Sequence, residues 1–313
     1  MSKLYPVGVQ NFEKVILGGY EYVDKTALIY ELFNTGSYYF LSRPRRFGKS
    51  LLLSTLEAYA QGKKELFKGL ALEKLERDWT VYPVLHMDLN TEKYDTQASL
   101  ENKLELTLKQ WEGEYGYNPD EYSVATRFEG VIRRACEQTG RRVVILIDEY
   151  DKPMLQAIGN EALQNEYRST LKAFYGALKS MDGCIRFALL TGVTKFGKVS
   201  VFSDLNNLMD ISMDDRYVEI CGISEKEVHA YFEEDIHALA TATGLTYEET
   251  CAELKANYDG YHFTENAVGM YNPFSLLNTF AKKKFGSYWF ETGTPTYLVE
   301  LLKLHHYPIE DLE

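Results

Sequence analysis

Short apolar runs alternate with longer amphipathic stretches through the first two thirds of the chain. The runs are Tyr38–Leu41, Val81–Leu89, Val143–Ile147, Ile185–Leu190 and Tyr217–Cys221. Each is too short for a stable helix and is bounded by polar or turn residues, which predicts a strand. Between the runs, apolar residues recur at helical spacing. The first set is Leu51, Leu52, Thr55, Leu56 and Tyr59; the second is Leu100, Leu104, Leu108 and Trp111. Phe128 to Cys136, and then Leu163, Tyr167, Leu171, Phe174 and Leu178, repeat the pattern. These are one-sided helices, with Gly113–Pro119 and Gly140 as expected breaks. Upstream, Asp24 is a candidate N-cap for a helix bearing Leu28, Ile29 and Leu32. Val143–Ile147 has no polar alternation, so it is expected at the centre of a sheet covered by helices on both sides. Strands alternating with helices predict a mostly parallel sheet with right-handed crossovers. From Ser224 the pattern turns helical only, with capping boxes at Ser224/Glu227 and Thr246/Glu249 and further helices over Phe274–Phe280 and Thr296–Leu304. The expected division is an α/β core over residues 1–221 and an all-helical lid over 222–313.

Composition narrows the class without naming a function. With 45% hydrophobic and 26% charged residues, the chain is ordinary for a globular protein. Its longest apolar run is far too short to span a bilayer, and its first residues lack a signal-peptide pattern, so a cytoplasmic location is expected. Cys136, Cys184, Cys221 and Cys251 are scattered with no C-x-x-C pair, as reduced structural thiols would be. A net charge of −12 opposes a broad nucleic-acid surface. The basic cluster Arg133/Arg134 with Arg141/Arg142 is expected to be a solvated helix end and strand entry.

Two stretches carry chemistry. In the first, a strand leads through Arg43-Pro44-Arg45-Arg46-Phe47-Gly48-Lys49-Ser50 into a helix. This is the setting of a phosphate-binding loop, whose general pattern is G-x-x-x-x-G-K-[ST]. Arg43 stands where that pattern has its first Gly, and Pro44 is placed to fix the turn instead. The first N–H groups of such a helix lack intrahelical acceptors and favour an anion. Lys49 is placed to reach the β- and γ-phosphates, and Ser50 to hold Mg²⁺. In the second stretch, Asp148 and Glu149 follow directly on Val143–Ile147, at the strand end where ligands bind in open α/β sheets. Asp148 is expected to hold Mg²⁺ through a water, and Glu149 to take a proton from the attacking water. Thr191, at the tip of the next strand, is a candidate contact to the γ-phosphate or to that water.

With these residues in place, the chain resembles the bacterial AAA-ATPase-like family of P-loop proteins, related to the AAA+ and STAND ATPases. The resemblance rests on Pro6-x-Gly8 with Phe12, Tyr22-Val23-Asp24-Lys25-Thr26, the Arg43–Ser50 loop (Walker A) and Leu146–Pro153 (Walker B). It continues through Leu190–Val193, Phe202–Leu208, Tyr258-Asp259-Gly260-Tyr261 and Tyr271-Asn272-Pro273. An Arg at position 43 is usual in this family. The resemblance implies a sheet ordered 5-1-4-3-2, with Tyr38–Leu41 between Tyr217–Cys221 and Ile185–Leu190. It implies ATP and Mg²⁺ as ligands, and adds Leu51, Val7 and Gly8 to the nucleotide-binding residues Arg43 to Ser50. Family members commonly continue into a PD-(D/E)XK nuclease-like domain. No D…E-x-K arrangement is visible here, so the chain is expected to stop short of that domain or to do without it. Beyond ATP, the candidate partners are a second copy of the chain, such a nuclease-like domain, or nucleic acid; no membrane is expected.

Three functions fit this sequence: an ATP-hydrolysing enzyme, a nucleotide-held scaffold with negligible turnover, and a nucleic-acid-processing module. Glu149 favours the first over the second, since a pure switch needs no base beside the Mg²⁺ carboxylate. The acidic balance counts against the third.

Overall fold

A computed structural model of the chain describes residues 3–194, 207–264 and 269–289. The first half of the chain runs α1 (Phe12–Leu17), α2 (Thr26–Thr35), β1 (Tyr38–Ser42), α3 (Lys49–Ala60), α4 (Ala71–Leu75), β2 (Val84–Asp88), α5 (Gln97–Tyr115) and α6 (Val124–Thr139). It continues through β3 (Val143–Asp148), α7 (Lys152–Gln156), α8 (Glu161–Ser180), β4 (Ile185–Gly192) and β5 (Met209–Asp210). The last part contains β6 (Ile223–Ser224), α9 (Glu225–Thr243), α10 (Tyr247–Tyr258), β7 (Asp259–Tyr261), β8 (Met270–Tyr271) and α11 (Pro273–Lys282). The helix expected over Thr296–Leu304 and most of the Phe202–Leu208 motif lie outside the described residues. No helix among the described residues is long and apolar enough to cross a membrane.

The larger sheet has the order β2-β3-β4-β1-β5, and the β2/β3, β3/β4 and β1/β4 pairs are parallel. This is the 5-1-4-3-2 arrangement. All six residues of β3 are buried, as its unbroken apolar run requires. Along the strands, Phe40, Leu85, Met87, Ile145, Ile147, Ala188 and Leu190 join a core shared with α5, α6 and α8, to which Leu104, Phe128, Phe174 and Leu178 contribute. The alternate strand residues, Leu41, Val144, Leu146 and Leu189, are buried as well. A fully buried side chain of this size contributes about 1.5–3 kcal/mol, an upper figure because denatured chains already hide some surface.

The chain forms two compact units, neither of them a continuous stretch. One contains Ser37–Ser42 and Tyr82–Met209, and so β1 to β4 with α5 to α8. The other contains Met1–Gly36, Arg43–Val81 and Asp210–Gly293. Its own apolar cluster joins Phe232, Ile236 and Leu239 of α9, Leu254 of α10 and Leu276 and Phe280 of α11, with Tyr5, Val7 and Val23 packed against it.

Several expectations need correction. The fifth strand is Met209–Asp210, whereas Asp215–Ile220 is a 3-10 helix. The Asp214 carboxylate takes the Arg216 N–H at its start, and the Arg43 guanidinium donates to the successive carbonyls of Tyr217 and Val218. Two adjacent carbonyls turned to one donor cannot alternate as a ladder requires. The segment after Ser224 is not purely helical, because β6, β8 and β7 form a small antiparallel sheet among the helices. Strands of two or three residues leave no legible period. The β2 strand starts only at Val84, after Pro83, which has no N–H to give a ladder. Helix α5 passes through Gly113 and ends at Tyr115, held by buried Trp111 and by Glu112, which takes a bidentate pair from Arg127 at 2.7 and 2.8 Å. Arg134 is not solvated: it pairs with Glu121 at 2.7 Å, in space that Gly130 leaves free. Both capping boxes are formed; the N-cap of α2 is Lys25 and not Asp24, whose carboxylate sits one residue earlier and accepts from Thr26 N and from Ala71 N at the start of α4.

Candidate active site

The phosphate loop begins where β1 ends. Gly48 is the N-cap of α3 with φ 92°, a left-handed conformation natural to glycine. A Cβ there would meet nothing within 4 Å, so the space over the helix start is open. Gly48 has no side chain to cap the helix, and the dipole of a twelve-residue helix makes its start attractive to an anion. Lys49 is buried, with Nζ donating to the carbonyls of Arg43 at 3.1 Å and Pro44 at 3.3 Å, so it bridges back across its own loop. Ser50 is the next residue of α3 and half-buried. An open cradle with a lysine spanning the loop fits a polyphosphate.

The other loop side chains are used differently. Arg43 is 1% exposed, donates to the carbonyl of Ser212 at 2.8 Å, and lies with its guanidinium 4.0 Å from the centre of the Phe263 ring. Burial pushes this guanidinium below its usual range, partly offset by Cys221 and Asp210. Its side chain is therefore committed to holding the loop and does not face open space. Arg45 and Arg46 are exposed, and Arg46 sits 4.0 Å over the Phe274 ring. Phe47 is buried edge-on to Tyr261 at 4.6 Å, and its carbonyl accepts from Gly222 N at 3.1 Å. A Cβ on Gly222 would come within 3.2 Å of the Phe47 ring.

Beside the loop, within the same unit, lies a mainly apolar cleft. Pro6, Tyr22, Ile29, Phe47, Leu51 and Ile223 are among its walls, with Gly48 at one side. Such a wall suits the flat face of a base. Of the residues expected from the N-terminal motif, Pro6 lines this cleft. Val7 instead packs against the α9–α11 cluster, and Gly8 forms a left-handed turn with φ 73°. Tyr22, Val23, Ile220 and Cys221 also line it. No sequence signal singled out Ile220 or Cys221, because the cleft gathers residues from well-separated stretches of the chain.

The carboxylates stand in the sheet's own unit. Register places Asp88 opposite Asp148, and Ser42 opposite Gly192, so the C-terminal ends of β2, β3, β4 and β1 form one row. Asp148 is 3% exposed and its Oδ1 accepts from the buried Thr191 hydroxyl at 2.6 Å and from Glu149 N at 3.1 Å. Glu149 follows in a left-handed conformation, φ 53°, uncommon for a residue with a side chain. Asp88 was not assigned a role from sequence. Burial raises its carboxyl above the usual range and Asp148 adds to this, while the Asn90 N–H opposes them.

The sheet order, the loop heading α3 and the strand-end carboxylates define the α/β fold of P-loop nucleoside triphosphatases. The family model described as "Predicted AAA-ATPase" matches residues 6–202, and the chain belongs to this AAA-ATPase-like family. It is also similar to a protein of Azotobacter chroococcum mcd 1 described as an uncharacterized protein in the vnfD 5′ region, with 43% identity over 302 residues. That match covers 96% of this chain but 56% of the relative, so the chain spans little more than half the relative's length.

Proposed function

We propose that the chain binds ATP with Mg²⁺ and hydrolyses it. The observation that carries this reading is the row of strand ends: Asp148 and Thr191 are hydrogen-bonded at the ends of β3 and β4, and Ser42, paired with Gly192, ends β1, from which the chain passes directly into the phosphate loop. Lys49 and the first N–H groups of α3 bind the β- and γ-phosphates, and the apolar cleft takes the base. Ser50 and Asp148 would hold Mg²⁺, which would supply positive charge to offset that of the phosphates. Glu149 accepts the proton of the water whose oxygen attacks the γ-phosphorus as the bond to the leaving ADP oxygen breaks. Arg43 and Phe47 keep the loop in shape, while residues 222–313 act as a lid segment.

The test separates binding from turnover. Lys49→Ala should lose ATP affinity by about 2–5 kcal/mol, the scale for truncating one partner of a buried charge pair. Glu149→Gln should bind ATP at least as well as the parent, with turnover down about 10²-fold or more. A parent that binds tightly yet hydrolyses no faster than Glu149→Gln would establish the second reading, an ATP-held scaffold. The observation favouring that reading is the grip of Phe263, Tyr261 and Phe274 on Arg43, Phe47 and Arg46, which ties the phosphate loop to the helical segment.

A further inference from the structure

The Leu146–Pro153 motif contains a second aspartate that the proposed chemistry does not use. Asp151 is fully buried, three residues beyond the metal-holding Asp148. Its carboxylate gathers donors from the exit of β4: Val193 N at 3.1 Å, Thr194 N at 2.7 Å and the Thr194 hydroxyl at 2.9 Å. Tyr150 binds the same stretch in the other direction, with its N–H on the Thr191 carbonyl at 2.9 Å and its hydroxyl on the Thr194 carbonyl at 3.0 Å. Phe40 of β1 meets the Tyr150 ring edge-on at 5.2 Å. Gly192 makes the approach possible, since a Cβ there would lie 2.5 Å from the Tyr150 ring and 2.8 Å from Asp151 Oδ1.

The consequence falls on Glu149. On one side of it, Asp148 is fixed by β3 and by the Thr191 hydroxyl; on the other, Tyr150 and Asp151 are fixed to residues 191–194. The backbone is thereby held in a left-handed turn that glutamate does not favour by itself. We infer that Asp151 is a positioning residue for hydrolysis, locking the exit of β4 to the turn that aims Glu149 and thereby holding Glu149 and Thr191 in fixed relation. This inference rests on Glu149 being the base. A carboxylate receiving two backbone N–H groups and a hydroxyl is a strong anchor, and a neutral amide of the same shape is a weaker one. In Asp151→Asn the negative charge behind these bonds is lost, and the amide nitrogen, in place of Oδ1, faces the Val193 N–H that now lies 3.3 Å away.

The experiment measures ATP affinity and single-turnover hydrolysis for the parent, Glu149→Gln, Asp151→Asn and the double variant. Asp151→Asn is expected to slow hydrolysis about tenfold or more while changing ATP affinity less than about threefold, the pattern of lost orientation and not of lost binding. The double variant is expected to be no slower than Glu149→Gln alone, within about twofold, because Asp151 acts through Glu149. Losses that multiply, or an Asp151→Asn protein with parental turnover, would overturn the inference. If the parent is no faster than Glu149→Gln, Glu149 is not the base and the positioning role goes with it. If the parent is faster but Asp151→Asn is unimpaired, only the positioning role fails. Should Asp151→Asn not fold, Thr194→Val removes one bond from the same carboxylate and must show a smaller slowing that disappears in the Glu149→Gln background. Parental turnover in Thr194→Val would count against the lock.

Discussion

The Thr191 hydroxyl donates to Oδ1 of Asp148 at 2.6 Å, joining the ends of β4 and β3 through two buried side chains. A hydrogen bond of this kind orients a metal-holding carboxylate, and its loss typically costs 10- to 100-fold in metal affinity. Thr191→Val keeps the shape and removes the donor. It should raise the Mg²⁺ concentration needed for half-maximal ATP hydrolysis by about tenfold or more. ATP binding measured in EDTA should be unchanged.

Arg43→Gly would restore the residue of the general phosphate-loop pattern, yet it should weaken this protein. Three carbonyls, of Ser212, Tyr217 and Val218, would lose their donor, and the Phe263 ring would lose its cation. Urea unfolding should show a loss of about 2–4 kcal/mol, the scale of leaving buried polar groups unsatisfied.

Gly192→Ala tests the closeness of the Tyr150 and Asp151 side chains to β4. A methyl group placed 2.5 Å from a ring atom forces backbone or side chain to move. Overpacking of this kind costs about 1–3 kcal/mol. A clear drop in Tm should accompany the substitution with no ligand present.

Asp259 supplies a pH dependence of stability. Burial raises its carboxyl above the ordinary value of 3.8, Glu225 adds to the rise, and Lys255 and His262 oppose it. Its Oδ1 is buried with no hydrogen-bond partner among the described residues. An acid raised on folding contributes stability that is complete below its unfolded pKa and is lost as pH climbs through its folded pKa. Asp259→Asn should therefore raise Tm near pH 7, with the gain shrinking as pH is lowered toward about 4. A gain independent of pH would show that the charge is not its cause.

Much of the sheet was legible because its strands are apolar runs with nothing to disguise them. Val143–Ile147 could only be central, and Asp148 could only stand at its end. The phosphate loop and both capping boxes announced themselves through local spacing. Tyr217–Cys221 misled because its composition suits a strand, while the guanidinium that bends it belongs to Arg43, far away in sequence. The same distance hid the role of Asp151, whose partners lie 42 and 43 residues on. Strands β6 to β8 were too short to show alternation, and the walls of the cleft come from both ends of the chain. Neighbour-to-neighbour chemistry was visible, and contacts across long loops were not.

The left-handed turn at Glu149 sets folding and activity against each other at one position. A non-glycine residue with φ 53° carries about 1–2 kcal/mol of strain that glycine would escape. Glu149→Gly should thus be tolerated by the fold, and even made easier to fold, while abolishing hydrolysis. If Glu149 is the base as proposed, a lineage released from the need to hydrolyse ATP would be expected to drift toward glycine there, keeping Lys49 for the phosphates and Asp148 for Mg²⁺. The residue at this single turn would then report, across relatives, which of them still turn ATP over.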